Sequence, residues 1–199
     1  MRLWIGLVIL LMICGCIDGP AKQSSIDCES LTQQDEKDMC YHDLAYERGD
    51  VSLCGKIYHA GKKDDCFLMV ATVTNKSSFC ERISDSDFRN WCIGSIAISL
   101  NDVMICDEIV DSNWMKWCHA TIKGDASICK EINDYRWYDT CHSWVAVATN
   151  ESSICEKDIQ NQSLRDECLH EVNKNLKDPG ICDKITNQVL KDSCYEKSG

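Results

Sequence analysis

Proline is scarce, with 2 in 199 residues, and basic side chains are outnumbered, 21 Lys and Arg against 32 Asp and Glu. The formal charge of −11 excludes the usual nucleic-acid footprint, because phosphates are gripped by clustered Lys and Arg. It also excludes a basic patch docking on anionic lipid. No C-x2-C pair occurs, so zinc ribbons, dithiol oxidoreductases and the common iron–sulfur patterns lack their ligand spacing. A hydrolase elbow, a phosphate loop and an H-E-x-x-H are missing as well. Abundant carboxylates single out no pair at catalytic distance. The expectation from these absences is no enzyme and no cofactor.

What is present begins with a short apolar leader. Arg2 precedes an apolar run from Leu3 to Ile13, the length of a signal-peptide core and too short to span a bilayer comfortably. Ile13-Cys14-Gly15-Cys16 resembles the lipobox of lipoprotein precursors, in which a small residue precedes the modified cysteine. That resemblance implies a signal peptide over 1–15, cleavage after Gly15, lipid on Cys16 and a tether over 16–23. An uncleaved anchor or an ordinary signal peptide would export the remainder equally.

The chain holds 16 cysteines, a load that points to an oxidising compartment. Fourteen of them, Cys28, Cys40, Cys54, Cys66, Cys80, Cys92, Cys106, Cys118, Cys129, Cys141, Cys155, Cys168, Cys182 and Cys194, alternate at gaps of about 12 and 14 residues. The period is 26 residues, and seven units fill 24–199. Two units depart: Cys155 to Cys168 is one residue longer, and the gap from Cys118 to Cys129 is three residues shorter.

Apolar positions recur at offsets of three and four from the cysteines, which means helices. Ile57, Ile83, Ile109, Ile132 and Ile185 stand three after the first cysteine of a unit; Leu44, Val70, Ile96, Ile122, Val145 and Val172 stand four after the second. Asp50, Asp102, Asp125 and Asp178 read as N-caps of a first helix of about two turns, and Asp85, Asp111, Asp134, Asn161 and Asn187 as N-caps of a longer second one. Gly49, Asn75, Asn101, Gly124 and Asn150 supply the left-handed residue that ends a helix. The fold class is therefore all-α: a solenoid of seven short helical hairpins, related in general architecture to tetratricopeptide arrays.

Spacing alone does not choose between cysteine pairing within and across units. Two arguments favour pairing the first with the second in each unit. It uses all fourteen, and the three-residue deletion then falls where no bridge must absorb it. Cys118-His119 and Cys141-His142 lack the earlier cysteine of a haem-attachment motif, so these histidines read as half-buried packing residues. His42, His59 and His170 share no offset.

One acidic position is periodic. Asp38, Asp64, Asp139, Asp166 and Asp192 stand two before the second cysteine, with Lys37, Lys63, Arg165 and Lys191 beside four of them. The expectation is a ladder of exposed ion pairs between units, because single carboxylates one helix spacing apart cannot assemble a calcium shell.

Aromatic residues gather in the middle units: Phe88, Trp91, Trp114, Trp117, Trp137, Tyr138 and Trp144. The 88/114/137 position reads as core, since Leu164 and Leu190 share it. Trp91 and Trp117 read as exposed or partly exposed, beside a notch left by the shortened helix after Cys118. Phe88, Trp91, Trp114, Trp117 and Trp137 are thus the candidate surface for a protein or glycan partner. Asn75, Asn150 and Asn161 open N-x-S sequons at predicted turns and are candidate glycosylation sites.

The repeat, roughly S-x-C-x-x-I-x(7)-[RK]-D-x-C-[YH]-x-x-[VI]-A-x(3)-[ND], is carried by stretches such as Ser78-Phe79-Cys80-Glu81-Arg82-Ile83 and Leu164-Arg165-Asp166-Glu167-Cys168. It resembles the secreted cysteine-rich helical-repeat lipoproteins of archaea, methanogens especially. Glu36 and Lys62 depart from the pattern at the Leu/aromatic position. The resemblance implies export and repeat architecture but no activity. The expected protein is a lipid-anchored scaffold on the outer face of the membrane that binds protein or surface polymer and no nucleic acid. The competing expectation is an exported redox or metal-handling protein.

Overall fold

A computed structural model describes residues 27–198, all helix, turn and loop without a strand among them. The leader 1–15, Cys16 and the tether to residue 23 lie outside the described residues. After a 3₁₀ turn over Cys28–Ser30 come α1 (Gln34–Arg48), α2 (Val51–Cys54) and α3 (Ala60–Thr74). A 3₁₀ segment over Ser77–Arg82 leads to α4 (Ser86–Leu100), α5 (Val103–Cys106) and α6 (Ser112–Lys123). Then follow α7 (Ala126–Cys129), α8 (Tyr135–Thr149), α9 (Ser152–Asp158), α10 (Gln162–Leu176), α11 (Pro179–Cys182) and α12 (Gln188–Ser198).

Each unit is a short helix followed by a long one. The first is shorter than the two turns expected. In the second unit α2 runs four residues from the Asp50 cap, and bonds such as Gly55 N–H to Ser52 O and Ile57 N–H to Cys54 O then tighten it to i→i+3. That tightening turns the chain inward at Ile57, 1% exposed, and the same happens at Ile83, Ile109 and Ile185. In the sixth unit α9 extends to seven residues and absorbs the extra residue, and Ile159 takes the buried position.

The caps explain why the helices start and stop where they do. Asp50, Asp102, Asp125 and Asp178 accept from backbone N–H two residues on; at the long helices Asp134 accepts from two on, Asp85 and Asn161 from three on, and Asp111 from both. Gly49, Asn75, Asn101, Gly124 and Asn150 hold positive φ at the helix ends. Lys177 does the same at φ 53°, a position that lysine's chemistry does not announce.

Seven disulfides join the first and second cysteine of each unit, Cys28–Cys40 through Cys182–Cys194, with Cα separations of 5.6 to 5.8 Å. Each lies at the centre of its hairpin, and every one of these cysteines except Cys40 is buried. Every long helix packs on the next, α1 on α3, α3 on α4, α4 on α6, α6 on α8, α8 on α10 and α10 on α12. Ala45, Ala71, Ala97, Ala120 and Ala146, all 0% exposed, let these helices approach closely.

The acidic row corrects the expectation of an exposed ladder. Asp38, Asp64, Asp139 and Asp166 are buried, and each carboxylate accepts from two successive backbone N–H groups in the loop of the following unit. Asp38 takes Tyr58 and His59, each at 2.9 Å; Asp64 takes Ser84 at 2.9 Å and Asp85 at 3.1 Å. Asp139 takes Gln160 at 2.9 Å and Asn161 at 2.8 Å; Asp166 takes Thr186 at 3.1 Å and Asn187 at 2.8 Å. Those loop amides sit just before a long helix and have no intrahelical acceptor, which is why a carboxylate is satisfied there. The basic neighbour turns the other way, into its own unit: Arg165 donates through Nε and Nη2 to Ile159 O, and Arg89 likewise to Ile83 O. In the fourth unit Lys116 replaces the acid and donates to Glu131 O at 2.8 Å, reversing the polarity of the link.

Candidate functional site

The candidate surface lies where the repeat is irregular. Helix α6 has 12 residues where α4 and α8 have 15, because three residues are missing after Cys118. A regular stack would leave a gap there. Trp117 fills it, so the expected exposure of Trp117 and an open notch beside it are both overturned: the side chain is 1% exposed. Its ring stacks on Trp91 at 5.6 Å, and the edges of Trp114 and Trp144 meet it at 5.4 and 5.6 Å. Room for it comes from Gly94, where a Cβ would lie 2.3 Å from Trp117 Cζ3. The indole N–H of Trp117 is buried without an acceptor among the described residues. The shorter helix also moves Ile122 out of its expected core place, leaving it half-buried, while Ala120 aligns with the small residues.

Around Trp117 the other rings form the visible part of the cluster. Trp91 is half-buried and meets Trp114 at 6.1 Å and Trp144 at 5.5 Å; Trp114 meets Trp137 at 4.3 Å. Phe88, whose position reads as core by its Leu counterparts but which belongs to the candidate surface, is 44% exposed. Trp114 and Trp137 at the same register are half-buried. Trp144, which spacing did not single out as a surface residue, is 38% exposed.

Two shallow grooves border the cluster. One, about 410 Å³, is lined by Asp65, Leu68, Asp87, Phe88, Trp91 and Trp114. The other, about 350 Å³, is lined by Ser143, Trp144, Val147, Leu164, Glu167 and Glu171. Trp114 Nε1 donates to Asp87 Oδ1 at 3.4 Å, which holds that carboxylate at the ring edge.

The histidines have structural partners. His119 Nε2 meets Asp107 Oδ1 at 2.9 Å, one case of a brace beside the disulfide that joins the residue after the first cysteine to the residue after the second. Tyr41 with Glu29 and Tyr195 with Asp183 repeat it in the end units. The Glu29 carboxylate accepts the Tyr41 hydroxyl and pushes that phenol up to about 12. His142 has Lys130 at the matching position, and Lys130 pairs with Asp158 instead. His142 is fully buried, its Nδ1 donates to Tyr138 O at 2.8 Å, and its Nε2 has no partner among the described residues. The signal for this brace was an acid after the first cysteine combined with Tyr or His after the second, a combination that the first, fourth and seventh units carry.

The sequon residues are exposed: Asn75 and Asn150 end helices in the left-handed conformation, and Asn161 caps α10. Among the described residues no three His, Cys, Asp or Glu side chains are grouped to hold a metal, and no helix is long and apolar enough to cross a membrane. Compared with protein-family models, with curated proteins and with solved structures, the chain matches none.

Proposed function

We propose that the protein is an exported scaffold, tethered to the outer face of the membrane by lipid on Cys16, whose tryptophan-cluster face binds a partner. The observation that carries this reading is the set of seven disulfides, one per unit, which engages all fourteen repeat cysteines. Disulfides in that number persist in oxidising compartments. Cysteines locked at the centre of each hairpin serve the fold, which supports a structural role over redox or metal chemistry. Repeat arrays present extended surfaces, and here the irregular fourth unit breaks the surface with aromatic rings and grooves. Solvent-facing Phe88 and Trp144 are the kind of side chains that anchor a partner.

A non-reducing peptide map with intact mass, on protein extracted from its native membrane, tests the reading. Diacylated or similarly lipidated Cys16 with the seven within-unit bridges is the expected result. Free thiols among the fourteen, or metal carried in the native mass, would overturn it in favour of redox or metal handling.

A further inference from the structure

The two grooves beside the tryptophan cluster have the same makeup. Each sets apolar and aromatic side chains against a pair of carboxylates, Asp65 and Asp87 in one, Glu167 and Glu171 in the other. Among the described residues, neither lining includes a lysine or arginine. Asp65 meets His42 at 3.1 Å and Glu171 meets Lys174 at 2.6 Å, but Asp87 and Glu167 form no ion pair among the described residues. The grooves are neighbours, since Trp91 in the wall of one and Trp144 in the wall of the other are 5.5 Å apart. An indole face attracts a cation through its quadrupole, and a carboxylate at the ring edge adds a charge of the right sign. A planar guanidinium meets both at once, stacking on the ring and pairing with the acid, which a compact ammonium does less well. The net charge of −11 steers such a partner toward the face and repels an acidic one.

We propose that these two grooves bind a basic segment of a partner protein, each taking one arginine side chain, or a lysine less tightly, between its aromatic wall and its carboxylates. This names the partner chemistry of the scaffold reading and rests on it. A neutral glycan also stacks on indoles, but it leaves Asp87 and Glu167 without a cation, and its binding does not depend on salt.

The test uses the full-length oxidised chain, tetra-arginine as probe, and tryptophan fluorescence with calorimetry as readouts. Saturable binding is expected, at least about tenfold weaker in about 500 mM than in about 50 mM NaCl. Asp87→Asn with Glu167→Gln should weaken it about fivefold or more, whereas Glu47→Gln with Glu196→Gln, the same charge removed elsewhere, should change it less than about twofold. Both pairs alter exposed residues and are checked for unchanged Tm. Equal loss in the two variants would assign binding to the diffuse field and overturn the proposal. So would salt-independent binding of cellotetraose in place of tetra-arginine. A photo-crosslinking residue at position 88 in the native host separates the two readings. Surface adducts without tetra-arginine binding overturn the basic partner and leave the scaffold standing; no adducts and no binding overturn both.

Discussion

Asp38 shows how much one side chain carries in a repeat that has no covalent tie between units except the backbone. Its carboxylate is fully buried, and burial alone would raise its pKa. The amides of Tyr58 and His59, with Gln34 and the His59 ring, outweigh that and hold it well below the usual carboxylate range. Asp166 is lowered in the same way, burial being outweighed by the hydroxyl and amide of Thr186, the amide of Asn187 and Gln162. A carboxylate depressed in the folded state stabilises fully above its ordinary value of 3.8, and the contribution disappears as pH falls through the folded value. With disulfides intact, Tm should therefore decline as pH drops below about 4, and the Asp38→Asn, Asp166→Asn double variant should decline less steeply. At neutral pH each substitution should cost about 1–3 kcal/mol, read as a Tm lowered by several degrees in a thermal melt, because an amide nitrogen then faces a backbone N–H. The period of this row was legible in the sequence, but its environment was not. Spacing gives the angle of a side chain around its own helix, not the neighbour it faces, and the same interval suits an exposed ladder and a buried seam. Asn90 and Lys116 were the clue, since both keep a polar side chain at the position and neither completes an acidic stripe.

Helix length is the variable that turns a regular array into a site. The hairpin period, the caps and the left-handed stops were readable because each uses a residue with a distinct local preference, aspartate at the start and glycine or asparagine at the end. The consequence of the missing turn in α6 was not readable. It depends on Gly94, a residue on the preceding long helix, leaving space that Trp117 enters. Gly94→Ala should therefore destabilise by about 1–3 kcal/mol through overpacking. In a thermodynamic cycle, Trp117→Leu should recover part of that loss, giving an interaction term that separates a clash from a change in helix propensity. If Gly94→Ala is as stable as the parent, the ring is not held against that glycine. Helix α10 offers the opposite case. Lys177 is strained at φ 53°, and Lys177→Gly should stabilise by up to about 1 kcal/mol, measured by denaturant unfolding.

Along the whole molecule, neighbouring units touch through their long helices while each disulfide closes within its own unit, so damage should stay local. A 26-residue hairpin buries too little apolar surface to be stable alone, which makes the bridge and the two adjoining units joint conditions for its order. Cys106→Ala with Cys118→Ala removes the bridge from the unit that seats Trp114 and Trp117. The lost loop closure is about 3 kcal/mol, charged mainly to one unit rather than spread over seven. The tryptophan emission should shift to the red, and limited proteolysis should cut between about residues 100 and 135 while the end units stay intact. Uniform cleavage along the chain would mean that the array melts as a single body. The intact protein permits a complementary measurement. Cys40 is the one half-buried member of the seven bridges, so under graded reductant the Cys28–Cys40 bridge should open first, detected by alkylation and mass mapping. The tryptophan emission should not change at that stage, because the cluster is held by α4, α6 and α8, two helices away from the opened unit. A face built on the central units is thus insulated from the ends, and a partner site placed there keeps its geometry while the array frays.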